Sequence, residues 1–311
     1  MYYVVASGKK NTKLSKETLP NLEKKLNERN VDYKLFVSIY PGHAEELTKA
    51  CCKEKDCQAI IAVGGDGTFY EILNGMDTSI PIGFIPAGTG NDFVRTLGIG
   101  TDIDECLDNI LNNEPRYIDY LQVNDRRAFN VVGSGFDIDL LKREDRIRKK
   151  IHSRKSYYIA LLISLFKFNF FKMTFKADNQ DSVTTSFFMF DCCNGIWGGG
   201  MLPLCVDASP YDGFIDFVYI TTFNKLKLLP LLLKFQKGKL ASTKYVKRIR
   251  CKAIDISVEQ NIEANLDGEI LPLFPIHVEI VHNQLKYFPS SKPPIDPLEL
   301  LNNRKLKKKA V

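Results

Sequence analysis

"AIIAVGGDGTFYEILNG", residues 59–75, runs four apolar residues, Ile60 to Val63, straight into Gly-Gly-Asp-Gly-Thr and then a helical pattern. Glycine is costly to hold in regular structure, so three glycines around one acid at a strand end mean that bare backbone is needed there. Two readings follow. In one, Asp66 caps an ordinary strand-to-helix turn. In the other, the turn is a phosphate cradle, with outward N–H groups at a helix N-terminus. Asp66 would repel a phosphate unless a Mg²⁺ ion or a proton intervened, so the second reading implies a metal-bound nucleotide.

A second turn repeats the layout. "IPAGTGNDFVRTLGI" (85–99) also follows an apolar run. It offers bare backbone at Gly88 and Gly90, a hydroxyl at Thr89, and an amide and a carboxylate at Asn91 and Asp92. Arg95 falls on the same helical face as Asp92. Consecutive parallel strands would put both turns on one sheet edge, where open α/β sheets bind ligands. The chain has no GxxxxGK[ST] loop and no third glycine after "GTG", so neither a P-loop nor an ordinary dinucleotide fingerprint is present.

Around these turns, strand patterns at 2–7, 32–39, 59–65 and 80–86 alternate with helical patterns at 14–29, 43–55, 68–76 and 104–113. That alternation predicts parallel strands with helical crossovers. After about residue 118 the pattern changes to a hairpin around Asn124-Asp125 and β-rich segments, interrupted by helical stretches near 139–167 and 224–237. The expected organisation is an α/β domain over 1–120 and a β-rich domain over 121–287. The segment from about 288 to 311 is expected to return to the first domain.

The net charge is +6, and its basic residues cluster in "RIRKKIHSRK" (146–155), "KYVKRIRCK" (244–252) and the tail. Such clusters suit an anionic surface or ligand, or are simply solvated faces. No nucleic-acid module accompanies them. The start reads directly as a strand rather than a signal peptide. The longest apolar run, 157–166, is too short to span a bilayer. Eight cysteines without a CxxC pair, and four histidines without ligand spacing, argue against zinc and for reduced thiols in a cytosol.

A third stretch, "EANLDGEILPLF" (263–274), sets Asp267 and Glu269 about Gly268. It is either an Asp-Gly hairpin turn or a carboxylate placed to accept a hydroxyl proton during phosphoryl transfer.

Taken together, "GGDGT", "GTGNDF" and a distant "LDGE" resemble the diacylglycerol kinase catalytic family, which includes bacterial lipid kinases, sphingosine kinases and ceramide kinases. "CNGIWGGGMLPLCVDASPYDGFIDFVYI" (193–220) is similar to a block of that family's second domain. The resemblance covers nearly the whole chain. It implies a Rossmann-like α/β domain, akin to phosphofructokinase and NAD kinase, followed by an antiparallel β-sandwich. It implies that Gly64, Gly65, Asp66, Gly67 and Thr68 bind the phosphates of ATP and Mg²⁺, and that Gly88, Thr89, Gly90, Asn91 and Asp92 complete the nucleotide site, with Arg95 nearby. Asp267 would be the general base, supported by Glu269. Asp119 matches an acid that joins a network with Asp92. A structural Mg²⁺ would sit on the Asp212 carboxylate and the Ser209 and Phe214 carbonyls. One departure stands out: the first strand ends "VVASGKK" where the family has an Asn-Pro turn, leaving Lys9 as the candidate phosphate contact. Lys155 aligns less securely with a family lysine.

The resemblance thus implies an ATP-dependent lipid kinase acting on the primary hydroxyl of diacylglycerol. Another lipid alcohol, NAD kinase activity and a non-catalytic regulator are the alternatives. The expected setting is cytoplasmic, with transient docking to an anionic membrane through basic stretches and the apolar residues of 157–171. No nucleic-acid partner is expected, and a homodimer stays open.

Overall fold

A computed structural model describes residues 1–8, 14–148, 159–161, 163–164, 167–199, 202–221, 245–260 and 262–292. Lys9, Lys155, the 224–237 stretch, most of 146–155 and the tail beyond 292 lie outside the described residues. The first half alternates as its pattern predicts. Strands β1 (Tyr2–Ser7), β2 (Tyr33–Ser38), β3 (Ala59–Gly64) and β4 (Ile82–Pro86) are parallel, in the order β2-β1-β3-β4. β3 is buried along its whole length, which explains its unbroken apolar run.

Helices α1 (Leu19–Glu28), α2 (His43–Cys51), α3 (Asp66–Gly75), α4 (Asp92–Thr96) and α5 (Ile103–Asn112) fill the crossovers. α1 buries Leu19, Leu22 and Leu26, the predicted stripe. A π-helical turn, Leu14–Thr18, precedes it, and Pro20 opens the regular helix. Leu26 is fully buried, and Leu26→Ala would cost about 2–5 kcal/mol. α2 and α3 pack closely because residue 75 is glycine: a Cβ there would lie 2.3 Å from the Glu45 carbonyl oxygen.

The second half is β-rich. β5 (Arg116–Val123) and β6 (Arg126–Ala128) form the hairpin around Asn124-Asp125, with Asn124 at a φ of 51°. β7 (Val131–Gly135) leads into α6 (Phe136–Arg148). β8 (Phe171–Ala177) and β9 (Val183–Cys193) follow, then a short pair, β10 (Trp197–Gly198) and β11 (Leu202–Pro203). The remainder comprises β12 (Ile215–Thr221), β13 (Val246–Cys251), β14 (Ala253–Val258), β15 (Ala264–Leu266), β16 (Glu269–Leu271) and β17 (Ile276–Tyr287).

β17 joins the halves. It runs antiparallel to β5 and β14, and its last residue pairs in parallel with Ile82 of β4. One mixed sheet therefore passes through the molecule. Two large cores lie on it, one under β1–β4 and one between the strands of the second half. Residues 288–292 continue onto the first half: Phe288 N–H donates to the Ile82 carbonyl at 3.1 Å, and Ser291 and Lys292 meet Asn109 and Glu105.

The basic stretch 244–252 differs from its reading as a surface for anions. Most of it is β13. Arg248 pairs with Asp216 and Asp207, and Arg250 with Asp212 and more distantly Asp216, so these charges are compensated within the protein.

Candidate active site

Parallel pairing of β3 with β4 puts Gly64 opposite Pro86, so both glycine turns leave the same edge side by side. The Gly64 carbonyl accepts from Ala87 N–H at 2.7 Å and Gly88 N–H at 3.1 Å. The turns touch backbone to backbone. A Cβ on Gly88 would lie 2.5 Å from the Gly65 Cα, and one on Gly65 would lie 2.9 Å from the Gly88 Cα. Glycine at these two positions is required by the contact itself.

Asp66 staples the turns together. Its Oδ2 accepts from Asn91 N–H and its Oδ1 from Asp92 N–H, both at 2.8 Å. It is thus a cap, as one reading held, but the N–H groups it satisfies belong to the start of α4 rather than to its own helix. Asn91 sits at a φ of 52° and bonds back to Gly88, accepting from its N–H at 3.1 Å and donating to its carbonyl at 3.0 Å. Arg95 donates to the Gly90 carbonyl at 2.7 Å and lies over the Trp197 ring at 5.9 Å. Thr89 is exposed at the rim, while Gly67 and Thr68 open α3.

The distant third stretch comes to these turns. Asp267 and Gly268, with φ of 51° and 104°, form the two-residue turn between β15 and β16, so the hairpin reading is correct. The Asp267 carboxylate nevertheless turns inward. Oδ2 accepts from Phe129 N–H at 2.6 Å, and Oδ1 from Asn130 and Val131 N–H at 3.0 and 2.9 Å. Burial pushes its pKa up to about 7; the three N–H groups pull against that shift, and the negative charge of Asp66 adds to it. Glu269 Oε1 would lie 3.2 Å from a Cβ on Gly67. The hairpin therefore sits against the first glycine turn.

Asp66 is likewise raised, by burial first and then by the neighbouring charge of Asp92. A cation between these two carboxylates would relieve that repulsion, and carboxylate oxygens are the ligand type that Mg²⁺ takes. Among the described residues, no group of three or more His, Cys, Asp or Glu side chains gathers to hold a metal by itself.

Asp119 is fully buried with the 209–214 loop. It accepts from Gly213 N–H at 2.8 Å and Asn283 N–H at 2.9 Å, beside His282 Nδ1. Asp212 accepts from Phe214 N–H at 3.1 Å and from Arg250 at 2.6 Å. The guanidinium supplies positive charge to that carboxylate, and Ser209 lies in the same loop. A divalent cation at Asp212 would have to compete with it, so the loop does not fit a metal well.

Several residues of this site carried no signal in the motifs. Asn194 donates to the Asp119 and Phe129 carbonyls, at 3.0 and 2.7 Å, and Asn130 donates to the Trp197 carbonyl at 2.6 Å. Together they hold from behind the segment whose amides grip Asp267. Asp137 and Asp191 are both raised, chiefly by burial; Asn265 donates to Asp137 at 3.5 Å and accepts from Gly268 N–H at 2.8 Å. An acid inside the apolar run "SFFMFDC" was the one visible hint of Asp191.

An α/β half with paired glycine turns, faced by a buried acid from a β-rich half, defines the class as an NAD-kinase-like fold. Residues 2–123 match the diacylglycerol kinase catalytic domain, and residues 130–288 match the YegS C-terminal NAD kinase beta sandwich-like domain. The chain belongs to this diacylglycerol and lipid kinase family. A protein of Staphylococcus carnosus provisionally named a lipid kinase is 28% identical over 72% of this chain and 74% of its own length. A diacylglycerol kinase structure from Bacillus anthracis superposes with a TM-score of 0.68 at 20% identity, covering 93% of this chain and 97% of that one. An Archaeoglobus fulgidus NAD kinase in complex with ATP gives 0.53 at 15% identity, covering both chains fully.

Proposed function

We propose that this chain transfers the γ-phosphoryl group of Mg-ATP to the primary hydroxyl of diacylglycerol, giving phosphatidic acid. The observation that carries the reading is Asp267: a buried carboxylate with a pKa near 7 that feels the charge of Asp66, on the hairpin whose Glu269 reaches Gly67 of the first glycine turn. A base poised near neutral pH is half ionised where it works, and it gains on the acceptor proton as that proton is released.

The turns at 64–68 and 88–92 would offer backbone N–H groups to the phosphates, apart from those of Gly88, Asn91 and Asp92, which hold the turns together. Asp66 and Asp92 are the residues that would hold a Mg²⁺ ion, and such an ion would neutralise charge on the phosphates. Asp267 takes the hydroxyl proton as the acceptor oxygen attacks, and Glu269 shapes the approach over Gly67. Arg95 fixes the second turn through Gly90.

Access from a bilayer is supported by apolar residues outside the cores. Leu141, Ile159 and Ile163 are exposed, while Leu140 and Leu161, close to them in sequence, pack on the aromatic cluster of Phe136, Phe168 and Phe188. No helix among the described residues is long and apolar enough to cross a membrane. Transient docking of this face on an anionic surface would bring the acceptor within reach.

The test is a panel of lipid alcohols in mixed micelles with Mg-ATP labelled at the γ-phosphate. Label is expected in phosphatidic acid. Label in another lipid phosphate would move the substrate, and label in NADP alone would refute the lipid reading.

A further inference from the structure

Tyr70 lies one helical turn after Asp66 in α3, and Asn74 one turn later still, along the same side of the helix. Because α3 opens at the glycine turn, whatever grips this side is fixed relative to the phosphate cradle. The Tyr70 ring does not join the first core. It is buried in the second, with Leu121, Val123 and Leu266, the residue before Asp267.

Its hydroxyl oxygen accepts from Arg126 Nε at 3.1 Å, with the guanidinium 5.4 Å from the ring centre. The other two nitrogens of Arg126 donate to both oxygens of Glu45 on α2, at 3.1 and 2.7 Å. One turn along, Asn74 donates to the Arg127 carbonyl and accepts from Arg127 N–H, both at 2.9 Å. Strand β6 is thus zipped to α3, and β6 leads directly to Phe129, Asn130 and Val131, whose amides hold Asp267. Burial makes the Tyr70 hydroxyl a weaker acid, Arg126 pulls against that, and the charges of Asp267 and Glu269 add to it.

We propose that Tyr70, clamped by Arg126 and Glu45, is a positioning residue that sets the distance between the donor turn and Asp267. The proposal rests on the kinase reading above. Transfer needs the acceptor oxygen aligned about 3–3.5 Å from phosphorus, and a displacement of about 1 Å costs roughly 10²-fold. A ring sunk in one core on a helix rooted in the other removes that freedom. The bidentate Arg126–Glu45 pair holds the hydroxyl's partner at a fixed angle.

The experiment is steady-state kinetics of Tyr70→Phe, Arg126→Gln, Arg126→Lys and the Tyr70→Phe/Arg126→Gln double variant, with a melting curve for each. Arg126→Gln is expected to lower kcat about tenfold with KM for Mg-ATP within about twofold of wild type. Arg126→Lys should recover part of that loss. The double variant should lose no more than Arg126→Gln alone, since both break one unit. Unchanged kcat with only a lower Tm would overturn the proposal, as would a KM for Mg-ATP that rises in step with the fall in kcat. A wild type that phosphorylates no lipid would refute the kinase reading instead. The clamp is then judged by hydrogen exchange: Arg126→Gln must speed exchange of the Phe129, Asn130 and Val131 amides, and unchanged exchange refutes it.

Discussion

Asp66 and Asp267 are both acids in glycine-bearing turns, both accept backbone N–H groups, and both are pushed up by burial, yet they do different work. Asp66 reaches across to Asn91 and Asp92 and ties one turn to the other. Asp267 gathers three consecutive amides from the distant segment that leads from β6 into β7, and burial still pushes its pKa up to about 7. The number of N–H partners does not decide which acid is poised for proton transfer. Three hydrogen bonds that favour the charge are outweighed by burial and by the nearby charge of Asp66. The first acid organises the donor side and the second is available to the acceptor.

Substitutions break this contrast to different degrees. Asp267→Asn removes the base and sets an amide NH₂ against at least one of the backbone N–H groups that Asp267 now accepts. The expected loss in kcat is about 10³-fold with ATP affinity unchanged, read by single-turnover transfer and by nucleotide titration. Gly88→Ala sets a Cβ against the backbone of the other turn, which has no side chain to move aside. It should cost about 3 kcal/mol of stability and weaken ATP binding at least tenfold, measured by urea denaturation and calorimetry. Asp66→Ala releases two charge-assisted bonds at once and should cost about 2 kcal/mol, with hydrogen exchange at Asn91 and Asp92 reporting the freed turn. If Asp66→Ala left ATP binding and those amides unchanged, the staple would be wrong and the two acids would no longer differ as described.

Much of the first half was legible because its signals are local. The burial of β3 and the stripe of α1 follow directly from runs and spacings of apolar residues. The adjacency of the two turns followed from parallel strands with helical crossovers. What stayed hidden depends on partners far along the chain. Asp66 spacing within "GGDGT" says nothing of amides 25 and 26 residues on. Asp267 read equally as a hairpin turn and as a base, and it is a hairpin turn whose side chain is held by the segment 136 to 138 residues earlier. Tyr70 fits a helix pattern that does not reveal which core receives it. The run 244–252 looked like a free cationic patch because the aspartates that neutralise Arg248 and Arg250 lie on another strand and its loop.

The raised pKa of Asp267 also moves stability and activity in opposite directions. The folded chain binds this proton more tightly than the unfolded chain, so this group's contribution to stability is present below pH 3.8 and is lost as pH rises towards about 7. Over the same interval the base ionises and transfer accelerates. The most direct measurement is the pH dependence of single-turnover phosphoryl transfer at saturating Mg-ATP and acceptor. Buried Asp267 predicts a rate that climbs about tenfold per pH unit on the acid side and levels off with a midpoint near 7. A rate already flat between about pH 5 and 8, or a profile that Asp267→Asn reproduces, would contradict the account.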